Sequence, residues 1–290
     1  MTVLAVDLGG TKTLLALVNG AEVIDRAEIP TARNAGPKAW VHEMARIAER
    51  WRGQFDQAGI TVTGLVKDNK WQSLNPETLA IPGCFALHEA ADRALGVPVT
   101  LCNDAQAAAW GEYLYGAGQG KDIAFLTIST GVGGGVVSNG RLLSGRSGLA
   151  GHFGQIVPLP EGSDARFEDG VSGNWIAAEG EKNGHAKDAR AVFAAAASGD
   201  ATAEKIIQTS AQRVGRLCRN LQLMLDPDLM VIGGGVGLAP GYIKKMAACV
   251  EQFQSHVRPA FVQAKLGKDA GIVGVADMST KNQLKREEAK

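Results

Sequence analysis

An α/β fold made of two repeated lobes is the class this sequence predicts, and three observations carry it. Apolar, β-branched runs alternate along the chain with segments rich in Ala, Glu, Lys and Leu, the pattern of strands interleaved with helices. The opening "TVLAVDLGGTKTLLALVNGAEVIDRAEI" and the later "IAFLTISTGVGGGVVSNGRLLSG" repeat one order of signals: strand, glycine turn, strand, Asn-Gly hairpin, strand. Asn19-Gly20 answers Asn139-Gly140, so the two stretches read as an internal duplication. A third apolar strand, in "DLMVIGGGVG", also runs into a glycine cluster.

Taken in order, the first meander is followed by a helix expected over Lys38–Gln57 and a strand near Ile60–Leu65. A long polar loop ending "SLNP" leads to a helix over Leu87–Leu95 and the strand "VPVTLC". After the second meander, Ser144 to Gly173 is glycine-rich and irregular. Helices follow in "NWIAAEGEKNG", "DARAVFAAAASG" and the long "ATAEKIIQTSAQRVGRLCRNLQLMLDP", which Pro227 ends. The strand of "DLMVIGGGVG", a helix in "PGYIKKMAACVEQFQ" and a closing helix in "DAGIVGVADMS" complete the chain, with "KNQLKREEAK" as a charged tail.

Composition narrows the function classes. The chain has 290 residues, 45% of them hydrophobic and 21% charged, which suits two lobes sharing an interface around sizeable cores. A formal net charge of zero gives no field to steer nucleic acid or anionic lipid. No apolar run is long enough to span a bilayer, and the strand-like start lacks a basic, cleavable leader, so a cytoplasmic protein is expected. Four widely spaced cysteines (Cys84, Cys102, Cys218, Cys249) form no C-x-x-C, which fits reduced thiols and offers no metal cluster. Glycine is the outlier, 37 in all and clustered, as required where backbone must turn tightly or approach a ligand closely.

"VDLGGTKT" joins an acid at a strand end to two glycines, a threonine and a lysine. Backbone N–H groups at Gly9 and Gly10 can approach phosphate oxygens, and Thr11 and Lys12 add a hydroxyl and a charge. It is not a Walker A motif, because the spacing differs and a strand follows. Asp7 is placed to hold magnesium through water. "STGVGGGVV" repeats the device with Thr130, Gly131, Gly133 and Gly134, and "VIGGGVG" offers Gly233, Gly234 and Gly235 before a helix, where an adenosine end could rest. One such loop is most often an ordinary turn. Three after apolar strands in a duplicated frame point to a nucleotide clasped between two lobes.

"TLCNDAQAAAW" sets Asn103 and Asp104 where a buried strand becomes an Ala-rich helix. By residue chemistry alone Asp104 is either a helix cap or a base held on a rigid strand end.

The chain resembles the ROK family of sugar kinases (repressors, open reading frames, kinases). The likeness rests on "DLGGTKT", "LNP", "NDAQAAAWGE", "TISTGVGGGVV", "GLAGHFG", "FEDGVSG", "VIGGGVG" and "DAGIVGVA", which together cover nearly the whole sequence. The motifs are most similar to those of members acting on N-acetylmannosamine. The resemblance implies a duplicated actin-like ATPase (ribonuclease H-like) fold with an interlobe cleft. Its lobes are expected at residues 1–105 and 106–270, with a closing helix at 271–280 packing back on the N-terminal lobe and a tail at 281–290. It implies ATP and magnesium as cofactors, a homodimer, and transfer of a phosphoryl group to a sugar 6-hydroxyl.

On this pattern Asp104 is the general base, and Asn75, Asn103, His152 and Glu168 contact the sugar. The same chemistry on N-acetylglucosamine or glucose is the nearest rival. A sugar-sensing regulator would need a helix-turn-helix, and only two residues precede the first strand. A non-catalytic scaffold is disfavoured by the Asn-Asp pair and the "LNP" loop. One departure is large. Zinc-containing relatives carry a second His and a cysteine cluster ahead of the glutamate; here the His position is Gln155, and "IVPLPEGSDAR" has no cysteine. No zinc is therefore expected, and hydrogen bonds and packing must hold that loop.

Overall fold

The computed structural model describes residues 1–74, 78–79, 81, 83–157 and 165–288. In chain order the elements are β1 (Thr2–Leu8), β2 (Lys12–Asn19), β3 (Glu22–Pro30), α1 (Pro37–Ala48), β4 (Ala58–Val62), β5 (Leu65–Lys67), β6 (Lys70–Gln72), β7 (Cys84–Phe85), α2 (Leu87–Leu95), β8 (Val99–Asn103) and α3 (Asp104–Leu114). There follow β9 (Ile123–Ile128), β10 (Val132–Ser138), β11 (Arg141–Leu142), α4 (Gly173–Lys182), α5 (Ala189–Ala197), α6 (Ala201–Leu225), β12 (Leu229–Gly233), α7 (Gly234–Gly237), α8 (Tyr242–Val250), β13 (Phe261–Gln263) and α9 (Ala270–Glu288).

Two compact units emerge. The first holds Met1–Tyr115, Ser144–Ala150 and Lys268–Lys290; the second holds Gly116–Leu143 and Gly151–Gly267. Each has a five-stranded sheet of the same plan, β3-β2-β1-β4-β8 in the first and β11-β10-β9-β12-β13 in the second. In both, an antiparallel meander supplies three strands, its first strand pairs in parallel with the fourth strand, and the fourth pairs in parallel with the fifth.

Parallel strands covered on both faces need apolar side chains at nearly every position. β4 is buried throughout, and Leu4, Val6 and Leu8 of β1 join Trp40, Met44, Trp51 and Trp71 in the first core. The second core gathers Leu126, Ile128, Ile232, Val214, Tyr242 and Met246. No helix among the described residues is long and apolar enough to cross a membrane.

The first unit takes in both α3 and the closing helix α9, which pack closely on each other. A side chain at Gly274 would run into the Ala107 carbonyl, and one at Gly111 into the Ala270 carbonyl, so two glycines let the backbones meet. Trp110 Nε1 and Tyr115 OH both donate to Asp277, at 2.8 and 3.1 Å, tying the far end of α3 to α9 as well. The closing helix also runs to Glu288, through most of the stretch expected as a tail.

Other differences are local. The helix expected over Lys38–Gln57 stops at Ala48 and continues as one 3₁₀ turn, Glu49–Trp51, before Gly53 takes a left-handed backbone. The polar loop contains a β5–β6 hairpin turning on Asp68 and Asn69, both left-handed, with buried Trp71 donating to Thr63 O at 2.8 Å. The two duplicated hairpins turn differently. Asn139 and Gly140 are both left-handed, as a type I′ turn demands. In the first hairpin Asn19 stays paired with Glu22, and only Gly20 is left-handed.

Candidate functional site

In the first unit the parallel register sets Leu8, Val62 and Asn103 abreast at the carboxyl ends of β1, β4 and β8. This is the edge where open α/β sheets place their ligands. Asp7 is one residue from the end of β1, and Thr61 Oγ1 donates to its Oδ1 at 2.8 Å. Burial nevertheless raises its pKa, with the Thr61 hydrogen bond and Lys12 pulling the other way. A carboxylate is the kind of oxygen ligand that a hard cation such as magnesium takes, directly or through water.

After β1 the chain turns tightly, with Gly9 N donating to Lys12 O at 3.1 Å. Gly10 lies against Thr78, where a side chain would come within 2.7 Å of its methyl group and 2.8 Å of its carbonyl oxygen, so only glycine fits. Thr11 and Lys12 are exposed. The Lys12 ammonium is paired 2.7 Å from Glu28 across β2 and β3. A different cation reaches the loop: Arg33, just beyond β3, donates through Nε to Gly10 O and through Nη2 to Thr11 Oγ1 at 3.2 Å.

At the β8–α3 junction the capping duty falls to Asn103. Its Oδ1 accepts from Gln106 N at 3.0 Å, its Nδ2 donates to Gly64 O at 3.0 Å, and the residue is 5% exposed. Asp104 is the first residue of the helix and accepts from Ala105 N at 2.8 Å. Burial, reinforced by the charge of Asp7, pushes its pKa up to about 7, while hydrogen bonds from Ala105 N and Asn103 oppose the rise. A carboxyl that ionises near neutrality can exchange a proton at physiological pH. One turn into the helix, buried Gln106 donates to Gly148 O at 3.1 Å and Ala150 O at 2.8 Å. It thus anchors the segment leading to His152. Asn75 lies outside the described residues.

In the second unit Ser129 N donates to Gly131 O at 2.9 Å, closing the turn between β9 and β10, and Gly133 and Gly134 lie within β10. The N-terminus of α4 abuts that turn, with Gly173 N donating to Ser129 O at 2.7 Å and Asn174 N to Thr130 O at 3.3 Å. Gly233 ends β12. Gly234 is left-handed and pressed onto the Ile128 backbone, whereas a side chain at Gly235 would meet nothing.

His152 precedes a 3₁₀ turn, Phe153–Gln155, and Glu168 lies in another, Phe167–Gly170. Phe167 N donates to Ile156 O at 2.7 Å, which brings the two turns side by side. Glu168, 8% exposed, accepts from Val132 N at 3.1 Å and from Gln155 Nε2 at 3.0 Å, and is ion-paired 2.9 Å from Arg166 Nη1. The candidate residues therefore form two sets. Asp7, Gly9, Gly10, Thr11, Lys12, Asn103 and Asp104 belong to the first unit, and Thr130, Gly131, Gly133, Gly134, His152, Glu168 and Gly233–Gly235 to the second. Among the described residues no three His, Cys, Asp or Glu side chains are grouped to hold a metal ion.

Comparison with known proteins places this geometry. The bifunctional enzyme NanE/NanK of Brucella melitensis is 46% identical over 277 residues, which is 96% of this chain and 54% of that protein. The chain thus spans about half the length of that relative. An N-acetylmannosamine kinase of Shigella boydii is 36% identical over 291 residues, 98% of this chain and 100% of the relative. A ROK family glucokinase from Streptomyces griseus, solved in complex with glucose and AMPPNP, superposes with a TM-score of 0.83 at 26% identity, covering 97% of this chain and 100% of that one. The fold is the actin-like ATPase fold that the ROK sugar kinases share. With the family profile matching residues 3–282, the chain belongs to the ROK family.

Proposed function

We propose that this protein transfers the γ-phosphoryl group of ATP to the 6-hydroxyl of N-acetylmannosamine. The observation that carries the reading is Asp104, a carboxyl at the end of a parallel strand whose pKa is lifted to about 7. Relatives named for N-acetylmannosamine kinase activity support the substrate.

In the reaction Asp104 takes the proton of the 6-hydroxyl as the sugar oxygen bonds to the γ-phosphorus. The bond from phosphorus to the bridging oxygen breaks, and ADP leaves. Because such transition states are largely dissociative, the base acts chiefly by position. Asn103 orients Asp104 through the helix cap, and Asn75, His152 and Glu168 with Asn103 contact the sugar. Gly9–Lys12, Thr130–Gly134 and Gly233–Gly235 receive the nucleotide through backbone N–H groups. Asp7 would help hold magnesium together with the phosphates, and the bound ion would supply charge neutralisation on the transferring group. The protein acts in the cytoplasm as a homodimer.

Zinc has no role in this reading. Gln155 is an amide committed to Glu168, and neutral amides are poor zinc ligands beside thiolate and imidazole.

The test is ADP release by the purified protein with ATP, magnesium and a panel of hexoses. N-acetylmannosamine should show the highest kcat/KM, ahead of N-acetylglucosamine and glucose, because a site that hydrogen-bonds one substrate group discriminates against analogues that leave its partners unpaired. Preference for glucose would overturn the substrate while keeping the kinase. No turnover with any hexose would overturn both.

A further inference from the structure

We propose that Gln155 and Arg166 form a polar clasp that sets the orientation of the Glu168 carboxylate and so acts as a positioning pair for the sugar. The proposal rests on the reading of Glu168 as a sugar contact.

Two hydrogen bonds and an ion pair converge on this one carboxylate. Oε1 accepts from Gln155 Nε2 at 3.0 Å and lies 2.9 Å from Arg166 Nη1, and Oε2 accepts from Val132 N at 3.1 Å. A carboxylate offers about four lone-pair sites, so acceptor capacity remains for a hydroxyl. Arg166 is itself fixed: its Nε and Nη2 reach Asp169 at 3.0 and 2.8 Å, a bidentate fork that leaves Nη1 for Glu168. One guanidinium thus serves two consecutive acids.

The backbone on the other side is anchored separately. Ser210 Oγ donates to Val171 O at 2.7 Å and Arg213 Nη1 to Gly170 O at 2.8 Å. Those contacts hold the main chain and leave the Glu168 side chain its rotamers. A flexible glutamate has rotamer freedom to lose on ordering. The clasp settles this before sugar arrives, which is pre-organisation of a binding group.

The experiment compares Gln155→Leu, Arg166→Met, Arg166→Lys and Glu168→Gln with the unmodified protein. Dissociation constants for N-acetylmannosamine and for a non-hydrolysable ATP analogue are read by calorimetry, and KM and kcat by turnover. Gln155→Leu and Arg166→Met should each weaken sugar binding by about tenfold while moving nucleotide affinity by less than twofold. Arg166→Lys, which keeps the charge, should recover part of the loss. A role confined to stability would lower the active fraction without this split between sugar and nucleotide.

Gln155→Glu keeps the shape and covers the case where Gln155→Leu fails to fold. Its protonated form can still donate, so its sugar affinity should fall with rising pH more steeply than that of the unmodified protein. Sugar affinity unchanged in the clasp variants but weakened in Glu168→Gln would overturn the clasp alone. Unchanged affinity in Glu168→Gln would overturn the sugar-contact reading and the clasp with it.

Discussion

The carboxylate of Asp7, near the end of β1, acts on that of Asp104, the residue just past the end of β8 in the same sheet. The charge of Asp7 adds to burial in lifting Asp104 to about 7. Like charges close together cannot both ionise at their ordinary pKa.

The first expected outcome is a pH limb. Asp104 must be ionised to accept a proton, so kcat/KM should rise with pH through about 7 and level off above it. Removing the neighbouring charge by Asp7→Asn eases ionisation and should shift the limb to lower pH, whatever happens to its height. A limb that stays in place in Asp7→Asn would mean that the two acids do not couple.

Asp104→Asn separates catalysis from stability. The amide cannot take the proton, so kcat should fall by at least ~100-fold with sugar and nucleotide affinities nearly unchanged. Stability should move the other way. The folded pKa lies above the ordinary 3.8, so ionising Asp104 costs stability progressively as pH rises from about 4 to 7, and the full penalty stands above that. The variant should therefore melt at a higher temperature than the unmodified protein at pH 8, with the gap closing towards pH 4. Thermal melts across that range check the sign.

The two cations near the first glycine turn should differ. Arg33 is bonded to the turn itself, whereas Lys12 is paired with Glu28. Arg33→Ala should raise the KM for ATP about tenfold, and Lys12→Ala should change it by less than threefold, since an exposed pair contributes little. The reverse ranking would return the lysine to the phosphates.

Gly274→Ala tests the helix contact behind Asp104. A methyl group there meets the Ala107 carbonyl, so α3 must shift, at a cost of about 1–3 kcal/mol. Denaturant unfolding should show that loss, and kcat should fall because the shifted helix carries the base at its first residue.

Elemental analysis should find no stoichiometric zinc in the purified protein. A zinc-selective chelator should leave turnover intact in excess magnesium, and withdrawing magnesium should abolish it.

What the sequence disclosed follows what local pattern encodes. The duplicated meander was legible because alternating strands, glycine turns and Asn-Gly pairs are short-range signals, and both sheets carry it. Asp104 was legible as a residue at a strand–helix junction, yet its cap duty belongs to Asn103, a choice made by backbone angles that residue types do not distinguish. The β5–β6 hairpin was hidden because each strand is only three residues long, too brief for a period to register. Arg33 and Arg166 lay in no motif, and the motif position of Gln106 and the departure at Gln155 said nothing of their partners. Their partners are fixed by where strands and turns end in space, and a polar residue on a loop reads the same whether it faces solvent or a buried carboxylate.

The seating of α9 has a consequence for how the chain is made. Val275 packs against Gly59, where a side chain would come within 2.7 Å of its carbonyl oxygen, and Ser279 Oγ donates to Ala58 O at 3.0 Å. The cover of the first sheet therefore leaves the ribosome only after the entire second unit. Until then the β4 backbone and its neighbours stay uncovered, and the nascent chain must finish its second half before its first half can close. Translation that stalls ahead of Ala270 leaves an apolar sheet face open to aggregation, even though every strand of that sheet has already been synthesised.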